Sequence, residues 1–253
     1  MECNLTAILL SLRESGTADR VAVFFSREKG KVRVFCPGSR RKGGRGGALR
    51  LFSALDIQLD FWQGSYQLAE AEALESYEGI CTDWERLAYG AVLAESVEHL
   101  WPEEEAQPEV YEFLRKAFRA LEKRSPRVAA AAALWQILEL AGFGSDFEHC
   151  AHCGEPLIAG RLDVENGGMK GSCCLKSDSG GGVTPEELEV LRALKDYPWE
   201  EEESHRSIPG RHLVGAERIL LEYLQYHLER PLKSLQFLQK MENNSRNLSS
   251  LPE

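Results

Sequence analysis

The sequence predicts an α+β protein of several domains: a five-stranded N-terminal barrel, a helical domain, and a small inserted element that holds a metal. Three observations predict it. Apolar residues alternate with period two over the first 80 residues, and the period becomes helical from Thr82 onward. Four of the seven cysteines then cluster between Cys150 and Cys174. The expected boundaries are 1–80 for the barrel, 81–149 and 177–242 for the helical domain, 150–176 for the metal element, and 243–253 for a polar, frayed tail.

The strands come in order. Thr6 to Leu12 and Arg20 to Ser26 are rich in Ile, Val, Leu and Phe, with Ser15-Gly16 as the turn between them. Lys31 to Phe35 alternates charge with Val and Phe, after a turn at Lys29-Gly30. Leu55 to Phe61 repeats the alternation, and Tyr66 to Ala73 follows Gln63-Gly64-Ser65. Five short strands with regular turns suit an OB-fold barrel. Pro37 to Gly47 has no apolar residue and many glycines, so it is expected to be a mobile loop between the third and fourth strands.

The helices follow. Thr82 is expected to cap the first, with Glu85 completing a capping box, and Leu87, Val92, Leu93, Val97 and Leu100 form its apolar face. Pro108 to Lys123 is a second amphipathic helix, and Pro126 opens an alanine-rich third that ends near Gly142. Thr184-Pro185-Glu186-Glu187 starts another, Arg211 to Leu228 a further one, and Leu232 to Met241 a last short one.

Charge separates the segments. The chain of 253 residues carries a formal net charge of −10, which alone argues against nucleic acid. Yet between Asp19 and Arg50 ten basic residues face only Asp19 and Glu28, while Leu51 to Gly79 has no Lys or Arg at all. Lys31 and Arg33 alternate along a strand, and Arg40, Arg41, Lys42 and Arg45 continue into the glycine-rich loop. Cations along a barrel face and an adjoining arm form the pattern of a groove that tracks a nucleic-acid backbone. Such binding draws on phosphates and counterion release, and falls steeply with salt. Core packing is the favoured reading for Phe24, Phe25 and Phe35, and the acidic runs Glu103–Glu105 and Glu200–Glu203 read as solvated loops.

Cys150-Ala151-His152-Cys153-Gly154 has the spacing of a zinc knuckle, and nineteen residues separate Cys153 from Cys173-Cys174. Cys150, Cys153, Cys173 and Cys174 are the candidate ligands of a structural zinc. His149, His152 or a water are alternatives for the fourth position. A regular ribbon would carry a cysteine at position 171, where this chain has Gly171. Cys3, Cys36 and Cys81 read as ordinary thiols. No phosphate loop, dinucleotide fingerprint, nucleophile elbow or zinc-protease motif occurs, so a binding protein is expected rather than an enzyme. No apolar run spans a bilayer and the N-terminus reads as a strand, so a cytoplasmic protein is expected.

Together, Gly16-Thr17-Ala18-Asp19-Arg20, Arg27-Glu28-Lys29-Gly30-Lys31, Gly38-Ser39-Arg40-Arg41 and Leu55-Asp56-Ile57-Gln58-Leu59 resemble the N-terminal domain of RecO recombination mediators. Leu140-Ala141-Gly142-Phe143, the Cys150 knuckle, Gly167-Gly168 with Cys174, and Thr184-Pro185 extend the resemblance over about residues 5 to 240. It implies an OB-fold, a helical domain and a zinc element. It also implies a protein that binds single- and double-stranded DNA, anneals complementary strands, and helps load recombinase onto strands coated by single-stranded DNA-binding protein. Implied partners are RecR and the C-terminal tail of the coating protein, at the nucleoid. Carried over by position, Arg20, Arg27, Lys29, Lys31, Arg33, Arg40 and Arg41 are the DNA contacts, and Cys150, Cys153 and Cys174 match metal positions. The usual third cysteine falls on Gly171, which leaves Cys173 as its substitute.

Two rival readings differ in class. A zinc-ribbon regulatory factor would surround its cysteines with bases, but only Arg161, Lys170 and Lys176 lie there. A metal-dependent nucleic-acid enzyme needs an open coordination position, with Glu148 or Glu155 as acid or base.

Overall fold

The computed structural model describes residues 2–41, 44, 46–175, 182–200, 208–228 and 230–240. Lys42, Arg45, Lys176, Glu201–Glu203, His205, Met241 and the tail from 243 lie outside the described residues. The chain divides into two compact units, one of 1–126 with 232–253 and one of 127–231.

The first unit is built on a barrel of β1 (Glu2–Ser15), β2 (Asp19–Ser26), β3 (Gly30–Cys36), β4 (Ala54–Trp62) and β5 (Ser65–Glu75), closed in the order β1-β2-β3-β5-β4. Every pairing is antiparallel except β3 with β5, where Val34 meets Tyr66 and Phe35 meets Gln67. The barrel therefore has the five-stranded OB-like form the alternation predicted. Leu5, Ala7, Leu9, Ala22, Phe24, Val32, Val34, Leu55, Ile57, Leu59 and Leu68 fill it.

β1 and β2 are buried on their outer side as well. Ile8, Leu10, Val23 and Phe25 point away from the barrel core yet are almost fully covered, because α2 (Trp84–Leu100) and α3 (Pro108–Lys123) pack over these strands. Phe25 meets Trp101 edge-on at 6.2 Å between ring centres. This explains the unbroken apolar run Ala7-Ile8-Leu9-Leu10, which a one-sided strand would not need.

α1 (Glu78–Thr82) precedes α2, and here the sequence expectation needs correction. Thr82 does not cap α2. It ends α1, with its hydroxyl bonded back to the carbonyls of Glu78 and Gly79. Asp83, in extended conformation, is the cap and accepts from the N–H groups of Glu85 and Arg86. Residues 233–240 are helical and join this unit, where Glu95 accepts from the N–H groups of Lys233 and Ser234 and from the Ser234 hydroxyl.

The second unit contains most of α4 (Pro126–Leu140), the hairpin β6 (Gly160–Asp163) and β7 (Gly168–Gly171), α5 (Pro185–Lys195) and α6 (Gly210–His227). α5 starts at the capping box expected from Thr184 and Glu187. The small side chains Ala129 to Ala133 are all buried, and Arg127 reaches the nearly buried Glu217 at 2.8 Å. No helix among the described residues is long and apolar enough to cross a membrane.

Candidate nucleic-acid interface and metal centre

The cations form two groups at opposite ends of β2 and β3. At one end, the β1–β2 turn is tied to the segment after β3. Gly38 N–H donates to Asp19 Oδ1 at 2.7 Å, Arg40 N–H to the Ala18 carbonyl at 2.9 Å, and the Arg40 guanidinium to the Gly16 carbonyl at 3.4 Å. These bonds gather Arg20, Arg40 and Arg41, with Arg40 also paired to Glu14 at 3.1 Å. The loop expected to be mobile is thus hydrogen-bonded at its described residues, and Ser39 within it is buried.

At the other end lie Arg27 and Lys29. Seven residues of strand at about 3.3 Å each put Arg27 about 23 Å from Arg20. Arg27 pairs with Glu112 at 3.3 Å, and the Lys29 ammonium sits 5.8 Å above the Tyr66 ring. Between the two groups, Lys31 Nζ donates to the Glu98 carbonyl at 2.6 Å and Arg33 meets Glu103 at 3.2 Å. Glu104 N–H donates to the Lys31 carbonyl, so the segment after α2 runs along β3. The acidic run Glu103–Glu105 is thus an exposed loop, as expected, that a backbone hydrogen bond ties to the strand. Lys42 and Arg45 fall outside the described residues.

The Arg27, Arg33 and Arg40 pairs are largely exposed, and such pairs hold about 0–1 kcal/mol, so a polyanion can exchange for the carboxylates. The opposite wall of the barrel has the other sign. Asp56, Asp60, Glu70 and Glu72 are exposed on β4 and β5. The barrel is polarised, which reconciles a cationic segment with a net charge of −10.

In the second unit the side-chain sulfurs of Cys150, Cys153, Cys173 and Cys174 all lie within 4.8 Å of one another. The knuckle forms because Gly154 takes a left-handed conformation (φ 75°) and donates to the Cys150 carbonyl at 2.9 Å. The β6–β7 hairpin brings the second pair across, with Ala151 N–H bonded to the Met169 carbonyl and Cys174 N–H to that of Gly171. Cys153 and Cys173 sulfurs are 3.3 Å apart. A zinc ion with bonds of about 2.3 Å needs sulfurs about 3.8 Å apart, so the four donors fit it. The set is complete without histidine. His149 is held by Asp146 and His152 by Asp163, each at 2.9 Å, and neither belongs to the sulfur cluster.

Burial opposes the Cys150 thiolate, but the N–H groups of Gly171, Cys153 and His152 outweigh it and bring the thiol down to about 6. Cys173 is pushed up, first by its contact with Cys153, to about 12, and Cys174 is raised by the same neighbour. A cation would relieve this crowding of sulfurs.

Comparison with known proteins decides the family. The family models described as Recombination protein O N terminal and Recombination protein O C terminal match residues 1–77 and 81–236. The chain belongs to the RecO family. The DNA repair protein RecO of a Nocardioides species is 31% identical over 242 residues, covering 92% of this chain and 98% of that relative. Those of Pelotomaculum thermopropionicum and Thermobifida fusca are each 29% identical over 92% of this chain, covering 92% and 96% of their own lengths.

In this RecO chain, sequence reasoning passed over two exposed aromatics, Phe61 and Trp62, which end β4 at 47% and 59% exposure. The signal was present: an aromatic pair breaks the alternation just before Gln63-Gly64.

Proposed function

We propose that this RecO-family chain is a DNA repair and recombination mediator that binds single- and double-stranded DNA, anneals complementary strands, and assists recombinase loading on coated strands. The observation that carries the reading is the gathering of Arg20, Arg40 and Arg41 at one end of a five-stranded barrel. Support also comes from the family and from relatives whose names say DNA repair.

Annealing by this route needs no bond chemistry. Guanidinium groups neutralise phosphates on two strands, the repulsion that opposes their encounter falls, and base pairing supplies the driving energy. The acidic wall of β4 and β5 keeps the strands to the cationic side. Cys150, Cys153, Cys173 and Cys174 hold a structural zinc. Four thiolates leave no open position for a reacting water, which favours binding over metal-dependent turnover. RecR and the acidic tail of the single-stranded DNA-binding protein are the partners that family membership suggests, at the nucleoid.

The test is annealing of complementary oligonucleotides, bare and coated, over a salt series. Persistence on coated strands with a steep loss in salt is expected. Absence of binding and annealing at low salt overturns the reading, and metal-dependent turnover of an oligonucleotide replaces it with an enzyme.

A further inference from the structure

We propose that Phe61 and Trp62, at the tip of the β4–β5 hairpin, stack on unpaired bases of single-stranded DNA. This rests on the reading of the chain as a DNA-binding protein and adds a second binding region to it.

The hairpin closes through Gln63 and Gly64, both with positive φ (50° and 80°), and Trp62 pairs with Ser65 across the turn. A two-residue turn of this type is tight and matches strand twist, so it holds the backbone of both residues at the tip. Neither belongs to the barrel core. That core closes at Leu59 and Leu68, with Tyr66 at the rim. Two adjacent large aromatic side chains left this exposed at a turn keep apolar surface in contact with water, which a stacking partner would cover.

Their surroundings fit a nucleic-acid strand. Phe61 meets Tyr66 edge-on at 5.1 Å, and Tyr66 carries the Lys29 ammonium over its ring. Tyr66 also pairs with Val34 across the β3–β5 seam, and Phe35 and Gln67 continue that seam. Arg20 pairs with Cys36, the last residue of β3, so the seam runs from the Arg20, Arg40 and Arg41 end to the aromatic tip, passing Arg33. A strand laid along it would have its phosphates at the arginine end and its bases at the tip.

The two ends supply different terms. Glu104 lies near the Lys29 ammonium, and the Tyr66 hydroxyl donates to Glu104 at 3.4 Å, so this end attracts phosphate weakly. Stacking is the interaction left to it. Every base has a face, so such stacking tolerates sequence, and a paired duplex hides those faces. In barrels of this fold the turns between strands one and two and between four and five flank the oligonucleotide path, which is where the two groups stand here.

The experiment measures binding of the full-length protein and its Trp62→Ala and Phe61→Ala variants to an oligo-dT strand, an abasic strand of equal length, and a duplex. Each variant is expected to lose about tenfold in affinity for oligo-dT and to keep its duplex affinity. The abasic strand should bind the unaltered protein about as weakly as oligo-dT binds Trp62→Ala, and Trp62→Phe should restore most of the affinity. Equal binding of oligo-dT by Trp62→Ala and the unaltered protein overturns the proposal while DNA binding stands. Failure of the unaltered protein to bind any strand overturns the DNA-binding reading itself. If Trp62→Ala abolishes a dimer but leaves oligo-dT binding unchanged, the tip binds a second copy and the proposal also falls.

Discussion

A side chain on Gly171 would place its Cβ 3.0 Å from the sulfur of Cys173, and 3.1 to 3.2 Å from Leu157 and Cys150. The sulfur of Cys173 therefore stands where a residue at 171 would project. The resemblance to RecO mediators implies a cysteine at position 171, and Cys173 offers its thiolate in the space a side chain there would fill. Cys173→Ala should weaken zinc binding by more than about 100-fold, beyond the 10–100-fold typical of losing a group that only supports a ligand. The double variant Gly171→Cys with Cys173→Ala should regain much of it. Zinc content and chelator competition read both; unchanged affinity in Cys173→Ala would remove it from the ligand set.

Charge reversal at Arg40 and Arg41 should slow annealing and lower the slope of log affinity against log salt by about one for each phosphate no longer neutralised. Glu14→Gln frees Arg40 of its carboxylate partner and should strengthen DNA binding about two- to fivefold, an exposed pair being worth up to about 1 kcal/mol. Weaker binding by Glu14→Gln would show that Glu14 positions Arg40 rather than competes for it.

Gly30 tests the attachment of the segment after α2 to the barrel. Its φ is +65°, and a Cβ there would fall 1.8 Å from the Glu105 carbonyl oxygen. Gly30→Ala should cost at least about 2 kcal/mol, combining left-handed strain with a backbone clash. The urea midpoint measures it, and an unchanged midpoint would mean that the segment swings away freely.

Glu75 predicts a pH dependence. Burial raises its pKa, but the Tyr77 hydroxyl and the Arg115 and Arg119 guanidinium groups outweigh that and hold it below the usual 4.5. A carboxyl depressed in the folded state adds stability above its unfolded value, and that stability is lost as pH falls through the folded one. Melting temperature should therefore drop more steeply below pH 4.5 in the unaltered protein than in Glu75→Gln, and the two profiles should converge at low pH. Parallel profiles would discount the contribution.

The barrel was legible because each strand carries its own signal: the alternation of Lys31-Val32-Arg33-Val34 reports which side faces inward without reference to any other segment. The capping box at Thr184 was legible for the same reason. The cap at Thr82 was misread because Thr82 and Asp83 both offer an oxygen, and only the short helix before them decides which backbone turns first. The contacts of Lys31 and Arg33 were hidden altogether, since the Glu98 carbonyl and the Glu103 carboxylate that meet them stand 67 and 70 residues away, beyond what a single segment shows. The four cysteines could be grouped by spacing, but the room that Gly171 leaves is a property of packing.

Glu95 bonds to Ser234 across 139 residues of sequence. The unit that holds both is therefore interrupted by the whole of the other one, which is continuous from 127 to 231. During synthesis, at about 5–20 residues per second, the barrel and its first helices would leave the ribosome and wait several seconds with the Glu95 carboxylate lacking its Lys233 and Ser234 donors. The later-made unit has all its residues first, and the earlier-made one is sealed last.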